Sequence, residues 1–167
     1  MPRWSPDASQ LAFLDMEAGS RWKILLLSAE GGVPQELLAK DFFQADAEWS
    51  PDGLHLIALS NDSHRILLFD FKTRKWSDWI SVQGTLSYPN WSSDGNYLYF
   101  AASETGSPAY YRAKLGQSRP ELLLDLKDIK QFSGDLGVWS AITPDGSPLF
   151  VRDMSTDEIY ALELDLP

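Results

Sequence analysis

One turn signature recurs four times along this 167-residue chain, and it limits the possible folds more than any other feature. It reads Trp4-Ser5-Pro6-Asp7-Ala8, then Trp49-Ser50-Pro51-Asp52-Gly53, then Trp91-Ser92-Ser93-Asp94-Gly95. The fourth copy, Ala141-Ile142-Thr143-Pro144-Asp145-Gly146, has its aromatic residue displaced to Trp139. The aspartates lie 45, 42 and 51 positions apart (7, 52, 94, 145). The residue types suit a tight reversal: Pro presets φ, Asp bonds back to nearby backbone, and Gly accepts the positive φ that closes the turn. A repeat of about 40 to 50 residues is the period of a four-stranded unit that buries its faces by stacking on its neighbours.

Short apolar runs follow each turn: Leu11–Leu14, Leu56–Leu59, Leu98–Ala101 and Leu149–Val151. Runs this short, bounded by turn residues, are strands. A second strand is expected at Trp22–Leu27, Arg65–Phe71, Ala109–Ala113 and Glu158–Leu164, and a third near Gln35–Leu38, Trp76–Ile80 and Glu121–Leu124. The segment before each turn supplies the innermost strand. The runs are apolar almost throughout, as expected when both sheet faces are covered. The fold class is therefore all-β, with β-propeller blades of four antiparallel strands. Four blades are expected over about 1–43, 44–88, 89–134 and 135–167. The longer last interval is assigned to an added connection, Asp125–Gly134, at a rim where loops form binding surfaces.

The Trp-Ser-Pro-Asp-Gly turn followed by an apolar strand resembles the TolB-type, or WD40-like PD40, propeller repeat. The resemblance covers essentially the whole chain and implies a scaffold more than an activity. It also implies a ring of roughly six to eight blades. The segment from Trp139 to Pro167 is similar to the closing part of propellers in bacterial multidomain proteins, where the blades follow a Ser/Thr kinase or a winged-helix domain. That similarity implies a C-terminal sensory or interaction module, and leans toward a setting outside the cytoplasm. No Gly-rich phosphate loop, His-Arg-Asp loop or Asp-Phe-Gly occurs in these 167 residues. Some propellers of this type regulate a hydrolase domain, so the alternative reading is a regulatory segment of a kinase or hydrolase.

Composition narrows the chemistry further. The net charge is −10. A nucleic-acid surface needs a basic footprint, so no nucleic-acid partner is expected. The acid excess is read as solubility and turn chemistry. No cysteine is present, which removes disulfides, thiolate nucleophiles and Cys-ligated metals. No run of about 18 apolar residues occurs, so no direct membrane insertion is expected. There is no Gly-x-Ser-x-Gly elbow.

His55 opens a strand where the other units have Gln10, Tyr97 and Pro148, and His64 falls in a hairpin turn; two isolated histidines do not make a zinc site. Asp7, Asp52, Asp94 and Asp145 read as turn residues, so no catalytic residue, cofactor or metal is expected. If the channel were catalytic, Asp46, Glu48 and Asn90 would be the candidates. Trp76 and Trp79, three residues apart, are expected on opposite strand faces in ordinary inter-blade packing.

The expected partner is a protein or small molecule at the loop rim or in the channel. The units also end unevenly, with little inner strand before Trp4 and no outer strand after Leu164. This suggests a piece of a longer protein with open apolar edges that drive self-association. Two copies pairing equivalent faces would close one eight-bladed ring.

Overall fold

The computed structural model describes residues 2–17, 21–37, 47–60, 62–104, 107–134 and 137–156. Among them there is no helix, and so none that could cross a membrane. The first sheet runs β1 (Arg3–Trp4), β2 (Gln10–Glu17), β3 (Arg21–Ser28), β4 (Gln35–Leu37). The second runs β5 (Glu48–Trp49), β6 (His55–Leu59), β7 (Arg65–Asp70), β8 (Lys75–Ser81). The third runs β9 (Thr85–Trp91), β10 (Tyr97–Glu104), β11 (Ser107–Lys114), β12 (Glu121–Asp125). Each is a four-stranded antiparallel meander whose neighbours in sequence are neighbours in space. Of the fourth unit, two strand pairs are described: β13 (Ser133–Gly134) with β14 (Gly137–Val138), and β15 (Ser140–Ile142) with β16 (Pro148–Phe150). The expected strand Glu158–Leu164 lies outside the described residues.

The core consists of layers between the sheets. Ala12, Ile24, Leu26 and Leu37 of the first blade meet Trp49, Leu56, Ala58, Leu67 and Phe69 of the second. Ile57, Leu59, Ile66 and Ile80 on the other face of the second blade meet Trp91, Leu98 and Phe100 of the third. Tyr99 and Tyr110 of the third meet Ile142 and Phe150 of the fourth unit. Successive residues of one strand thus point into different layers, as the two-residue period of a strand requires. In β6, Leu56 to Leu59 are all buried because both faces are covered. Trp76 and Trp79 divide in the same way: Trp76 packs on the layer toward the first blade, and Trp79 lies in the layer toward the third.

The longer interval before the fourth turn is not a rim connection. Gln131 pairs with Arg152, and Ser140 pairs with Phe150. Nine steps along the inner strand (131 to 140) therefore face two along its partner (150 to 152), with the β13–β14 hairpin taking up the excess. At the matching place in the third blade, β9 carries only a bulge, three steps (Ser87 to Asn90) facing two (Tyr99 to Ala101). A hairpin has replaced a bulge within the innermost strand, where an insertion projects from the strand itself.

Candidate functional site at the turn rim and inner strands

The repeated turns are built by their serine and aspartate. In the second turn the Ser50 hydroxyl donates to Asp52 Oδ1 at 2.5 Å, and its oxygen accepts the His55 N–H at 2.9 Å. The same Asp52 oxygen accepts the Leu54 N–H at 2.9 Å. Two backbone bonds complete the loop, Ser50 N–H to His55 O and Gly53 N–H to Ser50 O, both 2.9 Å. The first turn repeats this with Ser5, Asp7, Ser9 and Gln10, the third with Ser92, Asp94, Asn96 and Tyr97. Ser5, Ser50 and Ser92 are buried, and each hydroxyl is satisfied, as a buried polar group must be.

Hydrogen bonds to the charged form lower the aspartate pKa values. The Ser5 hydroxyl, then the Ser9 N–H, hold Asp7 at about 2; Ser92 and Asn96 hold Asp94 at about 2. At Asp52 burial pushes upward, but the bonds from Ser50 and Leu54 outweigh it and leave the group below the ordinary range. The Thr143 hydroxyl and the Ser147 N–H lower Asp145 in the same sense. These carboxylates are ionised at neutral pH and bonded within their own turns. None of them is a proton donor or a free base.

The fourth turn is one residue shorter. In the first three turns the serine oxygen accepts the N–H five positions on, from Gln10, His55 and Tyr97. The residue at that place is Pro148, which has no N–H to give. The bond moves to Ser147, whose N–H meets Thr143 Oγ1 at 2.9 Å, while Thr143 N–H meets Ser147 O at 2.9 Å. Ile142 takes the place of the turn tryptophan against the third blade, and Trp139 stays half exposed.

The same device appears once more, in the hairpin turn that holds His64. At the other end of the second blade Ser60 Oγ donates to Asp62 Oδ1, Arg65 N–H donates to Ser60 Oγ at 2.9 Å, and His64 N–H donates to Asp62 at 3.0 Å. Ser63 stands at φ 59°, as Gly53 does at 71° and Ala8 at 56°. This turn has neither Trp nor Pro. Ser and Asp alone therefore make the turn, and the other motif residues serve another purpose.

That purpose is contact between blades. The Trp49 indole lies against the first blade, and its N–H donates to Arg3 O at 3.1 Å. Trp91 lies against the second blade, stacked on Trp79 at 5.5 Å. Prolines step from turn to turn: a Cβ on Gly53 would stand 3.7 Å from Pro6 Cδ, and one on Gly95 would stand 3.6 Å from Pro51 Cδ. Where Ser93 replaces Pro, its hydroxyl faces Pro144 O at 3.4 Å, and Gly146 sits close to the Tyr99 hydroxyl. A cleft of about 500 Å³ opens between the first two turns, bounded by Asp7, Gln10, Pro51 and Asp52.

The innermost strands carry the remaining candidates. β1 touches β5, β5 touches β9, and β9 touches β15. Arg3, the residue before the first turn tryptophan, meets Glu48, the residue before the second, at 2.8 Å. Asn90 Nδ2 donates to Tyr88 O at 2.7 Å. Tyr88 itself has φ 49° in the β9 bulge, a strained setting for a bulky residue. Sequence reasoning named Glu48 and Asn90; it missed Arg3 and Tyr88, for which the only signal is position relative to the tryptophan. Asp46 lies outside the described residues. His55 and His64 are not brought together: the first is half-buried with its ring 4.0 Å from Asp70, and the second bonds to Gly84 O. Among the described residues no three His, Cys, Asp or Glu side chains converge in a metal-binding group.

No family model matches this chain. It is 28% identical over 123 residues to the uncharacterized protein Atu1656 of Agrobacterium fabrum, covering 72% of this chain and 42% of that protein. The structure of a putative TolB from Agrobacterium tumefaciens superposes with a TM-score of 0.68 at 25% identity, over 90% of this chain and 52% of that one. TolB from Acinetobacter baumannii gives 0.68 at 22% identity, over 93% and 38%. An oligogalacturonate lyase in complex with manganese gives 0.64 at 14% identity, over 76% and 40%. The chain thus spans about half the length, or less, of the proteins it matches, and its fold is that of TolB-type β-propellers.

Proposed function

We propose that this TolB-type propeller segment is a non-catalytic binding module that meets a protein or small ligand at its turn rim or along its inner strands. One observation carries the reading: the acidic groups best placed for chemistry are committed to structure. Asp7, Asp52, Asp94 and Asp145 are bonded inside their turns, and Glu48 is paired with Arg3. What the rim offers instead is shape, a cleft between rigid turns beside two ionised carboxylates. Rigid, pre-bonded surfaces suit recognition because little ordering entropy is lost on binding. The likeness to TolB structures supports a binding role at the level of the fold.

The second reading is an enzyme, and the lyase that shares the fold favours it. On that reading Glu48 and Asn90, on adjacent inner strands, would act on a ligand in the channel. A turnover screen separates the two, using peptidase, esterase and polygalacturonate substrates with the wild-type chain, Glu48→Ala and Asn90→Ala. The binding reading expects no turnover that either substitution abolishes. Turnover lost in Glu48→Ala would overturn it. In parallel, amide chemical-shift mapping with a lysine-rich peptide is expected to shift the turn residues around Asp7 and Asp52. An unchanged spectrum would count against the rim.

A further inference from the structure

We propose that the outer hairpins of the second and third blades form a basic surface on the turn rim, and that it receives an extended acidic segment of a partner polypeptide.

The surface is built from two loops at equivalent places. Residues 71–74 join β7 to β8, and the Phe71 N–H donates to Leu54 O at 3.0 Å. Residues 115–120 join β11 to β12, and the Leu115 N–H donates to Asn96 O at 2.9 Å. Both loops therefore stand beside the inner turns, on the same rim. Lys72, Arg74 and Lys75 lie at the first, Lys114 and Arg119 at the second, and all five are exposed. The corresponding loop of the first blade, residues 29–34, is tied to Ser9 O by the Ala29 N–H and carries Glu30 and no cation. The basic character thus belongs to the second and third blades and not to the blade plan.

These cations are set apart by the lack of a partner. Arg3, Lys23, Arg65, Arg112, Lys127 and Lys130 each meet a carboxylate within 3.6 Å. Among the described residues the five loop cations meet none, and Arg152 is the other cation in that state. The carboxylates next to them are engaged elsewhere. Glu121 binds Arg112 at 2.8 Å and Asp78 binds Arg65 at 3.2 Å. Asp70 holds the first loop in shape, accepting the Thr73 N–H on its carboxylate and the Arg74 N–H on its carbonyl, both at 2.7 Å. In a chain of net charge −10, this arc is a local field of the opposite sign. Such a field draws in and orients an anionic partner.

The geometry selects the kind of anion. The two loops belong to blades in contact, since the Trp79 indole N–H donates to Gln117 O at 2.8 Å. Lys75 and Trp79 share β8 and lie about 13 Å apart along it, so the two cation groups stand on the order of 10 Å from each other. One small anion does not bridge them. Carboxylates along an extended backbone do, because side chains on one side of a strand recur about every 7 Å. A broad anionic surface fits less well, because the ionised Asp52 and Asp94 of the inner turns stand on the same rim and repel it. A single strand along the outer edge meets the cations alone. This surface is distinct from the cleft between the first two turns and opposite to it in charge, so each can fail without the other.

The test is fluorescence anisotropy of a labelled oligoglutamate peptide titrated with the 167-residue chain at low and high salt. Binding is expected at low salt and should weaken as screening rises. Lys72→Glu and Arg119→Glu should each weaken it about tenfold, through a lost attraction and a new repulsion of similar size. Their melting temperatures should match wild type, since both residues are exposed. Lys127→Glu makes the same change of charge beyond the far end of β12, and should alter binding by no more than about twofold. Amide shifts on adding the peptide should fall at residues 71–75 and 114–119. No binding at low salt overturns the proposal. So does a loss in Lys127→Glu as large as in Lys72→Glu, because net charge and not the surface would then govern binding. Displacement of the peptide by inorganic phosphate at matched ionic strength would assign a small-anion site. Tighter binding of phosphatidylglycerol vesicles or of single-stranded DNA than of the peptide would assign a membrane or a nucleic acid. Either result overturns the acidic segment as occupant.

Discussion

The first and second blades are built to one plan, yet they bury it differently. Their turns share the same serine-aspartate bonds, and their strands pair in the same register. In β6 four consecutive residues are buried, whereas in β2 only Ala12 is buried between Leu11 and Phe13. The sequences do not account for this, since Leu11 and Leu56 are the same residue at the same place. The difference is that the first blade stands behind the second, while no blade among the described residues stands behind the first. Stability in a stacked repeat comes from the nearest-neighbour interface as much as from the unit itself. The turn motif holds both contributions: Ser and Asp belong to the unit, Trp and Pro to the interface.

The largest effect should come from the same deletion made in the two places. Leu56→Ala, at a position with no exposure, is expected to cost about 2–5 kcal/mol in urea unfolding, independent of protein concentration. Leu11→Ala, at a half-buried position, should cost only about 1 kcal/mol. Equal costs would break the comparison, because they would mean that Leu11 is as buried as Leu56.

Ser50→Ala tests the contribution of the unit. It removes the acceptor of His55 N–H and a donor to Asp52 in a buried place, with an expected cost of about 1–3 kcal/mol. Thr143→Ala, in the shortened and more open fourth turn, should cost about 1 kcal/mol or less by the same measurement. A smaller effect is expected from the fifth motif position. Ala8 stands at φ 56° where Gly53 stands at 71°, so Ala8→Gly should stabilise by up to about 1 kcal/mol, and Gly53→Ala should destabilise by a similar amount. A neutral Gly53→Ala would show that the turn relaxes out of the left-handed region.

Acid should expose the turns more gently. Asp7 and Asp94 titrate near 2 in the folded chain, against 3.8 ordinarily. Below about pH 4 the unfolded chain takes up protons before the folded one does. The stability these groups contribute is therefore complete above 3.8 and is lost as the pH falls toward 2. Melting temperature measured from pH 5 to 2 should fall in that window, and Asp94→Asn should flatten part of the slope. A slope unchanged in the variant would mean that the Asp94 bonds do not persist in solution.

The sequence was legible wherever spacing and residue type acted together. Repeated turns at blade spacing, with short apolar runs after them, placed the strands of the first three sheets and the opposite faces of Trp76 and Trp79. It was less legible where one atom decided the outcome. Pro148 shortens the fourth turn because it lacks an N–H, and a pattern that aligns it with Gln10, His55 and Tyr97 hides that difference. The hairpin turn at His64 is legible as a turn, but its Ser60–Asp62 bonding is not, because it lacks the Trp, Pro and Gly that mark the repeat. The inner-strand pair Arg3–Glu48 joins residues 45 positions apart through blade stacking, so no local pattern announces it. The added residues before the fourth turn read as a rim connection over Asp125–Gly134, and the inner-strand hairpin is not foreseen, because spacing reports that residues are added without saying on which strand.

The central claim is that the turn tryptophan packs against the preceding blade, as Trp49 and Trp91 do, and that Trp4, with no such blade among the described residues, stands exposed. Fluorine NMR of the chain labelled with 5-fluorotryptophan, with the Trp4 resonance assigned by Trp4→Phe, tests this most directly. Trp4 should be quenched by a soluble paramagnetic agent, while Trp49 and Trp91 stay shielded. A Trp4 resonance as shielded as theirs would contradict the account.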